Sequence, residues 1–352
     1  MKNEWMIYGA NGYSAQLAAE KAVKQGLKPI LAGRNKSAVE AVASKLGLES
    51  RIFSLDSVDE VAKQLADIKV VSLCAGPFSA TGMVMMQACI KAGTHYTDIT
   101  GEIPVFEFSQ SKDLEAKRAK VVLCNGVGFD IIPTDCLANR LQQELPDATH
   151  LTMGFDGEFG VSPGTAKTMV ETIGEGMKVR RNGELVSVGR GFEMRKIDYG
   201  KGEERLSSVI PWGDLSTAYW QTKIPNISIY MPFKGPKFSI YIFPLIKSLM
   251  KIKAVQNFAK KKIDAKVSGP NEKTRDADET YLWGEVKNAA GKTVTARIKT
   301  LNGYTVTMDG IITTAKFLLE YEGEGGCLTP SQLMGSDLVE QLPGATTFKL
   351  AS

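Results

Sequence analysis

Apolar residues along the first third of this chain come in two alternating patterns. Short continuous runs of four or five read as buried strands, and longer stretches with apolar residues every three or four positions read as helices. The first run, 5–8, leads through a glycine-containing loop into a helix with Leu17, Ala18, Ala22 and Val23 on one face, which Gly26 ends. Further strands are expected at 29–32, 51–55, 70–74, 95–99 and 121–124, with helices over 58–66 and from the fourth strand to Gly93 between them. Alternation of this kind predicts an α/β fold, a parallel doubly wound sheet of Rossmann type. Ligands of such sheets sit beyond the carboxyl ends of the strands.

The pattern changes after Pro133. A helix over 136–145 is followed by a strand at 151–155 with new neighbours, so the domain crossover falls between Asp135 and Leu151. A helix starts at Ser162-Pro163-Gly164-Thr165 and runs toward Gly176. Asn182-Gly183 marks a turn beside a strand in 180–186. Strands are expected at 285–286, 293–300 and 304–308, and a helix over 311–319. Arg180 and Arg181 are either a clamp for a carboxylate or phosphate or solvated turn residues.

Composition narrows the function. At 352 residues there is room for two domains. With 43% hydrophobic and 23% charged residues the chain is an ordinary globular one, and a net charge of +4 is too small to suggest a nucleic-acid partner. Five cysteines (Cys74, Cys89, Cys124, Cys136 and Cys327) are odd in number and form no CxxC, which argues against a disulfide framework and against a zinc or other metal site. Buried thiols in the reducing cytoplasm are expected. Residues 1–4 lead straight into the 5–8 run, which reads as a strand rather than a secretory h-region. No stretch approaches the ~20 apolar residues of a spanning helix.

The loop after the first strand carries the clearest chemistry. Gly9 permits the tight turn, Gly12 lets backbone amides approach a pyrophosphate, and Ala15 lets the helix pack closely with its N-terminus toward the anion. Gly9, Asn11, Gly12, Tyr13, Ser14 and Ala15 thus form the expected cradle, with the Tyr13 ring placed to shield a dinucleotide. The second strand selects the cofactor. An NAD enzyme usually carries an acid about 20 residues past the glycines for the ribose 2′-hydroxyl, yet no Asp or Glu occurs between Glu20 and Glu40. Arg34 and Asn35 stand there instead. A guanidinium can pair bidentately with a 2′-phosphate and stack on adenine, so NADP(H) is the expected cofactor. Asp56 and Ser57 after the third strand offer an edge for adenine. Cys74, Ala75, Gly76 and Phe78 after the fourth let backbone run against the cofactor ribose.

The segments Tyr8–Tyr13, Leu31–Asn35, Cys74–Phe78, Gly93–Glu102 and Gly128–Asp135 resemble the saccharopine dehydrogenase-like oxidoreductases. Within that family they look closest to the branch with the bacterial trans-acting enoyl reductases. The resemblance implies an NADP-binding domain over 1–135 followed by a mixed α/β domain over 136–309 that binds substrate and dimerises. It also implies that the helix in 311–319 returns to the cofactor domain, with 310–352 following it. It does not imply saccharopine as substrate.

Hydride transfer needs little from the protein beyond position, a proton donor and a substrate clamp. Tyr96 and Asp98, two apart on the fifth strand and so able to face one side, are the expected catalytic pair. Asp98 as a turn cap is the plain alternative. Asp130, Thr134, Asp135 and Glu102 are further strand-end candidates, and His95 reads as structural. The leading function is NADPH-dependent reduction of a C=C bond in an enoyl or lipid-like substrate. An amino-acid-type oxidoreductase acting at C=N or C–N, and a non-catalytic NADP-binding protein at a lipid surface, are the alternatives. The segment 238–263 is apolar, then amphipathic, with lysines around it. An anionic membrane surface, a second subunit, or a cover over the substrate pocket would each suit it.

Overall fold

The computed structural model describes residues 2–157, 162–167, 170, 176–188, 193–233, 235, 248–250, 252–266, 269 and 278–351. The chain divides into two compact units, Met1–Ile132 with Tyr304–Met334 and Pro133–Gly303 with Gly335–Ser352.

In the first unit β1 (Glu4–Tyr8), β2 (Ile30–Gly33), β3 (Ser50–Ile52), β4 (Ile68–Leu73), β5 (His95–Asp98) and β6 (Val122–Cys124) join one parallel sheet. Its spatial order is β6-β5-β4-β1-β2-β3, extended beyond β6 by the short strand Gly326–Cys327. β1 therefore pairs with β2 on one side and β4 on the other, so the strand order reverses between β1 and β4. Dinucleotides bind beyond the strand ends at such a reversal. The strands are apolar throughout because helices cover both faces. Met6, Ile7, Leu31, Val70 and Val71 are fully buried.

The helices follow from local chemistry. α1 (Tyr13–Lys24) buries Ala15, Ala18, Ala19 and Ala22, small side chains that bring it close to the sheet. Lys21 and Lys24 lie in its last turn, where cations complement the helix dipole. α2 (Lys36–Leu46) is capped by the Asn35 side chain, which accepts from the Ala38 amide at 3.2 Å, and it ends at the left-handed Gly47. α3 (Val58–Gln64) and α4 (Phe78–Ala92) follow β3 and β4.

The strand expected at 304–308 is instead the start of the helix Gly303–Glu320. Thr305, Val306 and Thr307 favour a strand by propensity, and Gly310 reads as a break. Gly310 is inside the helix because a Cβ there would lie 2.2 Å from the Val127 carbonyl oxygen, so only glycine lets the two backbones meet. Thr307 fastens the same contact by accepting from the Phe129 amide at 3.1 Å. Lys21 on α1 pairs with the buried Asp309 at 2.5 Å, tying this helix to the glycine-loop helix.

The second unit is built on a mixed sheet in the order 194–198, 204–209, 226–232, 148–157, 279–288, 293–301, 349–351. Only the pair 226–232 and 148–157 on that path is parallel. The helix Ile132–Glu144 packs Leu137 and Leu141 onto Gly284, where a Cβ would lie 2.7 Å from Leu141. The sequence grouped 310–352 together, whereas the structure divides that stretch at Gly335. The terminal strand Lys349–Ala351 pairs with 293–301 at the sheet edge. The Asn182-Gly183 turn joins strands Lys178–Arg181 and Glu184–Ser187. Of the helix expected from Ser162, residues 163–167 and 170 are described and helical. Of 238–263, residues 238–247 and 251 lie outside the described residues. No helix among the described residues is long and apolar enough to cross a membrane.

Candidate dinucleotide site

Three loops meet at the carboxyl ends of β1, β2 and β4. The Gly9 and Ala10 amides both donate to the Ala32 carbonyl, at 2.8 and 3.0 Å, which bends the chain sharply out of β1. Gly9 has φ +87°, and a Cβ on it would lie 2.8 Å from both the Cβ and the amide nitrogen of Ala75 and 2.9 Å from the Cys74 carbonyl carbon. The glycine loop and the loop after β4 thus touch backbone to backbone across the strand reversal. Gly12 precedes α1 in extended conformation and makes no side-chain cap, and no acidic residue occupies the first turn. No side chain of the loop caps the first turn and no acid repels an anion there, which is the setting in which a helix N-terminus receives a phosphate. These residues fit a dinucleotide pyrophosphate.

Asn11 is exposed, Tyr13 and Ser14 are half-buried, and Ala15 is fully buried. The Tyr13 ring meets the Tyr304 ring edge-on at 5.1 Å and 83°, so the helix Gly303–Glu320 adds a second aromatic to the glycine loop. Arg34 is exposed at the end of β2 and makes no hydrogen bond or ion pair among the described residues. Its charge and that of Asp56 both reach the Tyr8 hydroxyl, which burial pushes up to about 12, with Arg34 lowering it and Asp56 raising it. Tyr8 donates to the Phe53 carbonyl at 2.9 Å, so the ends of β1, β2 and β3 converge around it. Asn35 serves α2 as its cap, a local task that the sequence reading did not give it. Asp56 and Ser57 are exposed, with the Ser54 hydroxyl donating to Asp56 at 2.5 Å.

Beyond β4, Cys74 and Ala75 are half-buried and Gly76 is exposed. Burial pushes the Cys74 thiol up to about 12, so it is neutral and a poor nucleophile at physiological pH. Phe78 turns into the core as the first residue of α4. The amides of Phe78 and Ser79 both donate to the Glu102 carboxylate, each at 2.8 Å. Glu102 thereby caps α4 from the loop after β5, and the helix end beside β4 is closed by a side chain of the protein itself.

Tyr96 and Asp98 do lie together, but inside the unit. Both are fully buried, and the Tyr96 hydroxyl donates to Asp98 Oδ2 at 2.7 Å. Asp98 also accepts from Asn125 Nδ2 at 2.8 Å and from the amides of Gly126 and Thr100 at 2.8 and 3.1 Å. Burial raises the Asp98 carboxyl to about 6 while these four donors oppose the rise. The same burial raises Tyr96 well above its ordinary value. A phenol sealed between Asp98 and Gly82, where a Cβ would stand 3.2 Å from it, is a poor proton donor to a ligand. The pair shapes the loops after β5 and β6, as the turn-cap alternative expects of Asp98. His95 is structural. Its Nδ1 accepts from the Val122 amide at 3.0 Å, and burial lowers it to about 4, so it is neutral.

Asp130 follows β6 in the loop that Thr307 anchors. A Cβ on Gly101 would lie 2.8 Å from Asp130 Oδ2, so this carboxyl rests on the loop that carries Glu102. It is half-buried, and desolvation raises it to about 7. Thr134 and Asp135 belong to the second unit. Thr134 donates to Asp214 at 2.8 Å, and both it and Asp135 are buried. Arg180 is buried, donates to the carbonyls of Leu215 and Gly183, and stacks on Tyr219 at 4.2 Å. Arg181 bonds Ser228 at 2.9 Å and Glu193 at 2.7 Å. Neither arginine is a solvated turn residue.

Known proteins agree with this geometry. Residues 5–123 match the model of the saccharopine dehydrogenase NADP binding domain. A trans-acting enoyl reductase of Mycobacterium bovis is 33% identical over 188 residues, which are 48% of this chain and 44% of that protein. One from Mycobacterium ulcerans is 33% identical over 191 residues with the same shares. The chain thus matches under half the length of these curated relatives. The saccharopine dehydrogenase (L-Glu forming) of Saccharomyces cerevisiae superposes with a TM-score of 0.68 at 13% identity, covering 99% of this chain and 100% of that one. At that identity the likeness is one of fold. The first unit therefore carries a domain of the saccharopine dehydrogenase NADP-binding type over residues 5–123, and the chain as a whole shares its fold with that saccharopine dehydrogenase.

Proposed function

We propose that the chain is an NADPH-dependent reductase acting on the C=C bond of an enoyl or lipid-like substrate. The observation that carries the cofactor choice is Arg34, an exposed guanidinium without an ion pair among the described residues, beside a glycine loop whose neighbouring strand end holds no acid. Charge-assisted bidentate pairing with a 2′-phosphate suits that side chain. The enoyl relatives favour the C=C reading. The amino-acid reading would need arginines to clamp a carboxylate, and Arg180 and Arg181 are already committed within their own unit.

When bound, NADPH supplies a hydride. The protein's part is to hold the dinucleotide on the first turn of α1 and to deliver a proton to the carbon next to the one reduced. Asp130 is the group we assign to that delivery. It follows β6 at the carboxyl end of the sheet, is only half-buried, and holds its proton near neutral pH because desolvation disfavours the anion.

Stopped-flow oxidation of NADPH against enoyl thioesters and imino acids tests the reading. Turnover is expected with the thioesters, falling as pH rises through about 7 as Asp130 loses its proton. Asp130→Asn should lower kcat by roughly a hundredfold and remove that pH limb. Turnover confined to imino acids would overturn the C=C assignment, and an unchanged Asp130→Asn enzyme would remove Asp130 from the chemistry.

A further inference from the structure

The second unit carries a cationic, apolar surface that the dinucleotide site does not use. Leu249, Ile252 and Phe258 are 46%, 51% and 61% exposed, three of the eight large apolar side chains exposed among the described residues, all within ten positions. Phe258 lies on the helix Lys253–Lys266. Ala254, Phe258, Lys261 and Lys262 follow the helical repeat onto one side and are all exposed. Val255, Ala259 and Ile263 lie on the other side and are half-buried. The outward face is therefore not the face that packs on the protein.

Charge identifies what this face meets. Lys253, Lys261, Lys262 and Lys266 are exposed, and none makes a hydrogen bond or ion pair among the described residues. The Lys262 ammonium lies 4.8 Å from the Phe258 ring centroid. Residues 252–266 contain five lysines and a single acid, Asp264. A second copy of the chain docked face to face would bring these lysines against their own equivalents. An anionic lipid surface offers what they lack: phosphates for the ammonium groups and an acyl boundary for the apolar side chains, while lysine stems reach back to the headgroups.

We propose that this face docks on an anionic lipid bilayer. Phe258, Ile252 and Leu249 enter the headgroup boundary, and Lys253, Lys261, Lys262 and Lys266 meet lipid phosphates. The helix lies in the plane of the surface. This contact is independent of the reduction proposed above, because its test reads binding alone.

The test is co-sedimentation of the full chain with vesicles of phosphatidylcholine alone and of phosphatidylcholine mixed with phosphatidylserine. Binding is expected on the mixed vesicles only, and is lost in high salt. Each lysine near such a surface contributes roughly fivefold in affinity, so Lys261→Glu with Lys262→Glu should weaken binding by more than about tenfold. Phe258→Ala should weaken it several-fold without changing NADPH affinity or the circular dichroism spectrum, which checks folding. Equal binding to neutral vesicles, or none to either, overturns the proposal. So does a concentration-dependent rise in mass by sedimentation velocity that Phe258→Ala abolishes, which would assign the face to self-association.

Discussion

Replacing Gly9 by alanine isolates the contact on which the dinucleotide site is built. Two penalties apply. The φ of +87° costs a side-chain-bearing residue about 1 kcal/mol relative to glycine. The added Cβ would also stand 2.8–2.9 Å from the Cβ and amide nitrogen of Ala75 and from the Cys74 carbonyl carbon. Most of those are backbone atoms, so no flexible side-chain end can move aside, and relief by backbone shift costs about 1–3 kcal/mol. The sum is about 2–4 kcal/mol. At roughly 2–4 °C per kcal/mol for a unit of this size, thermal unfolding without cofactor should fall by about 5–15 °C. Gly47→Ala is the control, since Gly47 has φ +65° with nothing within 4 Å of its Cβ, and only the conformational penalty applies. Differential scanning calorimetry of both variants, with NADPH titration followed by protein fluorescence, reads stability and binding together. Gly9→Ala should lose several times more stability than Gly47→Ala and bind NADPH at least tenfold more weakly. Equal melting shifts in the two variants, with unchanged NADPH affinity, would refute the argument that the loops after β1 and β4 interlock at Gly9.

Other outcomes follow from the buried polar groups. Tyr96→Phe removes one hydrogen bond to Asp98 and should cost about 1 kcal/mol in urea unfolding while leaving kcat within about twofold. A loss of kcat near a hundredfold would restore Tyr96 as the proton donor. Asp98→Ala strands four donors, those of Tyr96, Asn125, Thr100 and Gly126, and should cost about 3–5 kcal/mol. His95, lowered from 6.5 to about 4, leaves the unfolded chain to bind its proton first. Its contribution is therefore present above pH 6.5 and is lost as pH falls toward 4, by about 2 kcal/mol at about pH 5. His95→Asn should flatten that part of the stability profile, and an unchanged slope would place the acid sensitivity elsewhere.

Much of the first unit was legible in the sequence because its strands are continuous apolar runs and its turns carry obligatory glycines. The 5–8 run, the Gly9 turn and Gly26 need no tertiary information. What escaped depended on partners far along the chain. The strand-like Thr305-Val306-Thr307 became helix because Gly310 and Thr307 engage the 127–129 backbone, a contact invisible to local propensity. Tyr96 and Asp98 were correctly placed side by side by the two-residue period of a strand. That period says nothing about which face is sealed, and here Gly82 and Asn125 seal it. Asn35 was readable as a cap from its place before a helix, yet α2 itself went unread. Glu102 carried a weaker signal: an acid before Ile103-Pro104 reads as a loop contact, and the amides it accepts belong to a helix 24 positions earlier.

The cofactor preference tests the central claim most directly. Dissociation constants for NADPH and NADH should be measured by titration for the unmodified chain and for Arg34→Ala. The unmodified chain should favour NADPH. The substitution should weaken NADPH by roughly ten- to a hundredfold, the worth of a charge-assisted bidentate pair, and leave NADH within about twofold. Equal weakening of both dinucleotides, or a native preference for NADH, would contradict the assignment of Arg34 to the 2′-phosphate.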